Sequence, residues 1–255
     1  MSANDSVART LGVAVVLCLV CSVVVSTAAV MLKPRQTANQ SADIKRVIVG
    51  VAGLDGVDVD SAFERIDTRV VALGTDEYAK DIDPASYDQR KAASDPERSV
   101  ALSGDEDIAG IRRRAKHAKV YLVRDGDAIE RVVLPVHGYG LWSTLYGFIS
   151  VEGDGNTVYD LKFYDHAETP GLGGEVDNPS WRALWEGKLL YDDNGEVAIE
   201  VVRGQVPANA PNTEYKVDGL SGATLTSKGV SNLVRYWMSE QGFGPYLKRV
   251  QAGRA

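Results

Sequence analysis

The chain has 255 residues, in which 28 Lys and Arg residues stand against 35 Asp and Glu residues, and its formal net charge is −7 at pH 7. This acidic balance argues against nucleic acid as a partner, because a phosphate backbone attracts basic surfaces. Both cysteines, Cys18 and Cys21, lie near the N-terminus. The rest of the chain therefore has no disulfide and no thiolate metal site, and cysteine usage does not reveal its redox compartment.

The first predicted element is a transmembrane helix over residues 11–32, which follows a short N-terminal tail at 1–10. The segment carries no charge and is about 22 residues long, enough for a helix to cross a hydrocarbon core about 30 Å thick. A polar extension over 36–45 and further apolar residues continue the helix until Gly53. A cleaved signal peptide is the alternative, since residues 27–29 are small, but its apolar region is normally about 7–15 residues long. A retained membrane anchor is favoured.

Charges beside this helix do not fix its orientation. Arg9 precedes it, and four basic residues within 33–46 follow it. The positive-inside rule would place the following domain inside, but the rule is weak for long translocated domains. Within the helix, Cys18 and Cys21 supply only two of the four cysteine ligands that common iron–sulfur clusters need. Helix packing is their simpler role unless a partner adds ligands.

Residues 33–117 are predicted to form a helical connecting region. A helix begins at Asp60 or Ser61, and the apolar run at 70–73 follows it. Residues 75–116 are rich in charge and turn signals, which indicates a surface insertion with short helices.

From Ala118 onward the sequence is predicted to be rich in β-strands, because turn residues separate short apolar runs. The three predicted hairpins join 120–123 with 129–135, 146–151 with 158–164, and 189–191 with 197–202. A helix beginning at Asn178-Pro179 interrupts these strands. The pattern predicts an α+β fold with a mixed, largely antiparallel sheet. No G-x-G-x-x-G string follows a strand, so a dinucleotide-binding βαβ unit is excluded.

The string Ser-Gly-Ala-Thr-Leu-Thr-Ser-Lys at 221–228 is the strongest functional signal. An amphipathic helix is predicted to follow it, with apolar residues recurring at i, i+3, i+4 and i+7 from Val230. Thr224, Thr226 and Ser227 are therefore candidate caps, at a helix end where a phosphate is stabilised. The string resembles the signature on which a flavin transferase esterifies flavin mononucleotide (FMN) to the last threonine. A simple helix cap is the alternative.

Two further segments are candidates for a flavin site. Residues 138–147 place glycines around one Trp and two Tyr, a composition that suits a flat aromatic ligand or an ordinary core. Residues 166–174, His-Ala-Glu-Thr-Pro-Gly-Leu-Gly-Gly, are too rich in glycine for a regular element and would otherwise be a wide turn. The His-x-Glu pair has no Cys-x-x-Cys to complete a deaminase-type zinc site, and no metal site is predicted.

In this order, behind one N-terminal membrane helix, the three motifs make the chain similar to the NqrC proteins of the bacterial sodium-translocating NADH:quinone oxidoreductases. The resemblance covers essentially the whole chain, and it implies that residues 118–255 form an FMN-binding domain. The RnfG proteins of Rnf-type electron-transport complexes share two of the motifs and are an alternative. A membrane-anchored binding module without a cofactor is the other.

The resemblance also implies a cofactor site. Thr226 carries the FMN through a phosphodiester, Lys228 neutralises the phosphate or is merely exposed, and Glu168 fixes its loop rather than touching the flavin. The remaining implied contacts come from the three motifs: Leu141, Trp142, Thr169, Gly171, Leu172, Gly173, Ser221, Gly222, Ala223, Thr224 and Leu225. No residue is assigned a role in proton-transfer catalysis.

By the same resemblance, the protein is an electron-relaying component of a membrane-bound, sodium-transporting oxidoreductase. Electrons reach the flavin from a redox centre in a membrane partner and pass to another flavin on the way to quinone. The implied partners are the NqrA, NqrB, NqrD, NqrE and NqrF proteins of the complex, the lipid bilayer and a periplasmic flavin transferase that uses flavin adenine dinucleotide (FAD). The flavin domain is expected on the periplasmic side of the bacterial inner membrane.

Overall fold

A computed structural model describes residues 7–54, 56 and 58–255. The chain divides into two compact units, at 1–45 and 46–255. The first helix, α1, runs over Val7–Val51, and its side chains are exposed from residue 7 to residue 43. By length and composition, α1 is a helix that could cross a membrane.

Helix α1 is longer than the predicted transmembrane segment. Residues 7–10 of the predicted tail are helical, whereas residues 1–6 lie outside the described part of the chain. The helix continues through Pro34 to Val51, which confirms the predicted polar extension. It ends where Gly53 adopts a φ of 69°, a conformation that glycine takes without a steric penalty.

The other helices and strands of the described chain all lie within residues 46–255. In chain order they are α2 (Val59–Glu64), β1 (Asp67–Ala72), α3 (Gln89–Ser94), β2 (Ser99–Ala101), β3 (Arg113–Ala115), β4 (His117–Asp125), β5 (Ala128–Tyr139), β6 (Thr144–Glu152), β7 (Val158–Asp165), α4 (Pro179–Arg182), β8 (Glu200–Val201), β9 (Lys216–Val217), α5 (Thr224–Met238) and α6 (Gly244–Gln251). Short 3₁₀ helices lie at Gly173–Asp177, Ala183–Trp185 and Thr213–Tyr215.

A five-stranded antiparallel sheet in the order β1-β4-β5-β6-β7 forms the centre of the fold. The predicted hairpins of β4 with β5 and of β6 with β7 are confirmed. In the register of β6 with β7, Ile149 lies opposite Leu161, and both are fully buried. The three central strands, β4, β5 and β6, contain consecutive buried residues, so side chains on both of their faces are buried. The main core includes Val120, Leu134 and Ile149. The expected α+β class with a largely antiparallel sheet is therefore confirmed.

Two parts of the prediction are wrong. The apolar run at 70–73 does not follow α2 as helix, because α2 ends at Glu64 and β1 pairs with β4 as an edge strand of the main sheet. The proposed boundary at 117/118 consequently falls inside one compact unit. The third hairpin is also wrong: residues 191 and 197 form an isolated bridge, and β8 pairs in parallel with β9. In both cases the strand's partner is distant in sequence, which local patterns do not record.

Helix α5 packs on β5 through the predicted apolar stripe. Leu233 and Trp237 are fully buried, and the Trp237 Nε1–H donates to the His137 carbonyl at 2.7 Å. Close approach depends on two glycines. A Cβ on Gly138 would lie 2.8 Å from Leu233 Cβ, and one on Gly229 would lie 2.5 Å from the Tyr139 oxygen. This contact brings the start of α5 next to the end of β5.

Gly229→Ala is expected to destabilise the fold by about 1–3 kcal/mol, the usual cost of overpacking. The new methyl group would meet backbone atoms of Tyr139 and Gly140, which cannot turn aside as a side chain can. The gain in helix propensity, about 1 kcal/mol, does not offset this clash. Urea denaturation of the two proteins measures the difference. Gly104→Ala, with nothing within 4 Å of the added Cβ, is the control and should change stability little.

A partly buried histidine is expected to make stability depend on pH. The His137 ring stacks on Tyr146, with 5.4 Å between centroids, and lies 4.9 Å from the Trp237 ring. Burial, with a smaller contribution from Arg90, lowers the pKa of His137 from 6.5 to about 4. Its contribution to stability is complete above pH 6.5 and falls as the unfolded chain takes up the proton on acidification. The loss reaches about 3 kcal/mol near pH 4, since each pKa unit corresponds to about 1.4 kcal/mol.

His137→Phe removes this proton uptake while keeping a flat ring. Denaturation curves collected between pH 7 and pH 4 should therefore show a shallower loss of stability for the variant than for the parent protein. Equal slopes for the two proteins would show that His137 is not held neutral by burial.

Candidate functional site

A hydroxyl–carboxylate pair lies where the three sequence motifs meet. Thr226 is in the first turn of α5 and is fully buried, and Glu168, which follows β7, is only 5% exposed. The Thr226 Oγ1–H donates to Glu168 Oε2 at 2.7 Å. This bond joins residues 58 positions apart, from the second and third motifs.

The other oxygen of Glu168 binds the first motif. Glu168 Oε1 accepts backbone N–H groups from Leu141, Trp142 and Ser143 at 3.1, 2.9 and 3.3 Å. These residues form the connection between β5 and β6. A second contact braces it, because the Ala167 N–H donates to Ser143 Oγ at 2.7 Å. The resemblance implies that Glu168 fixes its own loop, whereas its carboxylate holds the backbone of the 141–143 connection and bonds Thr226.

The charge state of Glu168 follows from its surroundings. Burial raises the pKa of its carboxyl, but hydrogen bonds from the Thr226 hydroxyl and from the three backbone N–H groups outweigh burial, so the pKa lies below its usual value of 4.5. Glu168 is therefore an anion at neutral pH. Its contribution to stability is present above pH 4.5 and is lost as pH falls through the lower pKa of the folded protein.

Two glycines leave the space that this carboxylate occupies. A Cβ on Gly140 would lie 2.6 Å from Glu168 Oε1. A Cβ on Gly173 would lie 2.6 Å from Thr226 Oγ1 and 2.7 Å from Glu168 Oε2. Any larger residue at either position would collide with the pair. The glycine-rich composition of the motifs is thus explained by close backbone approach to Glu168 and Thr226.

The start of α5 differs from the predicted cap. Ala223 occupies the N-cap position and makes no side-chain cap bond, and Thr224 is exposed. The Ser227 hydroxyl accepts the Leu220 N–H at 2.9 Å and donates back to the Ala223 carbonyl at 3.1 Å. The predicted capping roles of Thr224, Thr226 and Ser227 are therefore wrong. A helix start without a side-chain cap leaves backbone N–H groups and the positive end of the helix dipole available to an anion.

The segments that meet at the buried pair also carry an apolar rim. We use this term for Leu141, Trp142, Leu172 and Leu225, all large, exposed apolar side chains from the three motifs. Trp142 and Leu225 expose 66% and 58% of their surface. Leu172 also reaches the attachment string, since a Cβ on Gly222 would lie 3.1 Å from Leu172 Cδ2. Exposed apolar side chains from separate segments are typical of a surface that binds a ligand or partner.

The remaining predicted site residues are less directly connected. Thr169, Gly171 and Ser221 are exposed on the same segments. Lys228 is also exposed, but it lies two positions after Thr226, and helical residues two apart point in different directions. Its role at the phosphate, with simple exposure as the alternative, stays a prediction.

Three contributors were not predicted: Gly140, Ser143 and His166. All three lie inside the segments 138–147 and 166–174, so the glycine, hydroxyl and imidazole groups of those segments were the available signal. His166 Nδ1 accepts the Glu168 N–H at 3.2 Å, and its Nε2 lies 2.9 Å from Asp177 Oδ2. This arrangement assigns the ring proton to Nε2 and anchors the loop before Glu168.

The site coincides with a known domain model, because residues 140–239 match the FMN-binding domain. The crystal structure of Shewanella oneidensis NqrC superposes with a TM-score of 0.77 at 34% identity, covering 84% of this chain and 99% of that one. The crystal structure of the corresponding Na⁺-translocating NADH-quinone reductase component from Parabacteroides distasonis gives a TM-score of 0.64 at 26% identity, covering 85% and 96%.

Full-length sequences give the same result. The NqrC protein of the Na⁺-translocating NADH-quinone reductase of Yersinia pestis is 51% identical, covering 98% of this chain and 95% of its own length. The NqrC protein of Pseudomonas aeruginosa is 49% identical, with complete coverage of both chains. The resemblance found in the three motifs is confirmed over the full length: the chain belongs to the NqrC family of the Na⁺-translocating NADH-quinone reductases.

Proposed function

We propose that the protein is the electron-relaying NqrC component of a sodium-translocating NADH:quinone reductase, with FMN attached to Thr226 through a phosphodiester. The observation that carries this proposal is the buried Thr226–Glu168 pair, which lies at the uncapped start of α5 on segments that also carry the apolar rim. These features fit FMN: a hydroxyl to esterify, a helix end for phosphate and apolar side chains for a flat ring.

When bound, the isoalloxazine ring supplies reversible oxidation and reduction, and the protein supplies position and environment. Backbone N–H groups at the start of α5 would hold the phosphate. Leu141, Trp142 and Leu172 would cover the ring against water. Glu168 holds the backbone at 141–143 in place and so fixes where Leu141 and Trp142 stand.

The membrane helix and the family together support a location in the bacterial inner membrane. We place the flavin domain on its periplasmic side, where a flavin transferase would attach the cofactor, and we propose NqrA, NqrB, NqrD, NqrE and NqrF as the partners. Protease digestion of intact spheroplasts tests the orientation. Loss of the domain 46–255 without lysis supports a periplasmic location, and protection until lysis contradicts it.

Mass spectrometry of the full chain, produced with and without an active flavin transferase, tests the cofactor. A mass gain equal to FMN less water, located by peptide fragmentation on Thr226, is the expected result. An unmodified Thr226 beside an active transferase would contradict the proposal and would reduce the motif to the start of a helix.

A further inference from the structure

Two threonines lie in the first turn of α5, and they differ in their exposure to solvent. Thr224 is exposed, whereas Thr226 is fully buried. Accessibility alone would favour Thr224. The Thr226 hydroxyl differs in having a carboxylate partner, since its proton is already shared with Glu168 at 2.7 Å. An alcohol is a weak nucleophile until a positioned base takes its proton, and the working range for such contacts is about 2.6–3.2 Å.

Glu168 is held rigidly in the position that such a base requires. Three backbone N–H groups fix Oε1, and the backbones at Gly140 and Gly173 close around the carboxylate. The arrangement leaves Oε2 directed at Thr226. A side chain that served only to brace the loop would need one oxygen for the three N–H groups and would not need a negative charge beside the hydroxyl.

We propose that Glu168 selects Thr226 for flavin attachment by accepting the proton of its hydroxyl as the phosphate is transferred. This inference rests on the proposed function. In the step, Thr226 Oγ1 forms a bond to the FMN phosphorus of FAD, and the P–O bond within the pyrophosphate breaks. AMP leaves with the bridging oxygen and its electron pair. The hydroxyl proton passes to Glu168 Oε2, and no atom changes its oxidation state.

The surroundings of the pair suit this step. Thr226 is fully buried, and the backbone at Gly173 approaches Oγ1 closely, since a Cβ there would lie 2.6 Å from it. Part of the structure that covers Oγ1 has to move for the phosphate to enter. After transfer, Oγ1 has no proton to donate. The phosphate charge beside Glu168 then favours the protonated carboxyl, because a like charge raises the pKa of an acid. The transferred proton can therefore remain on the Glu168 carboxyl in the product.

Comparison of Glu168→Gln with Glu168→Asp separates the effect of the side chain's charge on the attachment rate from the effect of its length. Gln keeps the length of the side chain and can accept the three N–H groups, but it cannot take a proton. Asp keeps the charge on a shorter side chain. Unmodified full-length protein is incubated with the flavin transferase and FAD, and the initial rate of attachment is followed by fluorescence in denaturing gels, with peptide mass spectrometry to locate the flavin. Tm is measured for each variant without flavin.

The Gln variant is expected to lose about 10²-fold in rate, at the lower end of the range for a general base, with some loss of Tm because the hydrogen bonds to the carboxylate favour its anion. The Asp variant should be faster than Gln. Attachment to Gln at the parental rate, or at a rate equal to or above that of Asp, would overturn the proposal and leave Glu168 a structural role only.

A neighbouring carboxylate provides the control. Glu175 lies seven positions after Glu168, and its Oε2 accepts from Asn178 Nδ2 at 2.7 Å. Glu175→Gln should be modified at the parental rate, and a loss as large as that of Glu168→Gln would contradict a specific role for Glu168. If the parent chain itself gains no flavin on Thr226, the proposed function fails. If the parent is modified and Glu168→Gln is equally fast, only the role of Glu168 fails.

Discussion

Thr226→Val is expected to abolish covalent flavin while the protein still folds. Valine has nearly the shape of threonine and remains acceptable in the first turn of a helix, but it has no oxygen to esterify. The change also leaves Glu168 Oε2 without the hydrogen bond that it now accepts at 2.7 Å. Loss of that bond to a buried anion should lower the free energy of unfolding by about 1–3 kcal/mol. In-gel flavin fluorescence and urea denaturation measure the two effects.

Thr224→Val is the matched control, since it makes the same chemical change two residues earlier at an exposed position. It should keep covalent flavin and lose little stability. Flavin fluorescence that persists in Thr226→Val and disappears in Thr224→Val would show that Thr224, not Thr226, carries the flavin. Persistence in both variants would place the flavin elsewhere in the chain.

Trp237→Ala is expected to destabilise the domain by about 3–5 kcal/mol, as is usual for removal of a buried tryptophan. Its ring is fully buried and packs on His137 and Phe243, with centroids 4.9 and 5.5 Å away. The substitution leaves a cavity and removes the donor to the His137 carbonyl. Because Trp237 attaches α5 to β5, the Thr226–Glu168 bond should also loosen, and flavin attachment should slow.

Trp142→Ala provides the contrast. Trp142 is largely exposed, and its bond to Glu168 uses the backbone N–H, which alanine retains. Stability should change by less than about 0.5 kcal/mol, as is typical of surface substitutions, whereas the fluorescence of bound flavin should change. Thermal denaturation of the two variants distinguishes the roles. A large loss of stability in Trp142→Ala would mean that this residue belongs to the core.

Local elements with strong patterns could be predicted from the sequence. The uncharged stretch at 11–32 indicated a helix that could span a membrane, and turn residues between apolar runs indicated the hairpins of β4 with β5 and of β6 with β7. In these cases the interacting residues are neighbours along the chain. β1 was missed because its apolar run is short and its partner, β4, is separated from it by a long stretch of sequence.

Prediction was weaker where a polar side chain had several possible partners. Hydroxyl groups before a helix normally cap it, which predicts that role for Thr224, Thr226 and Ser227. In the structure Thr226 bonds Glu168 instead, and Ser227 bonds the loop before the helix. A cap is a local contact that sequence can suggest, whereas a bond to a residue 58 positions away depends on how β7 and α5 pack.

Sequence patterns are enough to predict the apolar N-terminal helix, two strand hairpins and the family indicated by three motifs, and to propose Thr226 as the attachment residue. Tertiary structure alone decided that one carboxylate, Glu168, joins all three motifs, since its oxygens meet Thr226 and the backbone at 141–143 only when α5 lies on β5. The physical reason is that glycines remove the side chains that would keep these segments apart. The glycines are visible in a sequence, but what approaches them is not.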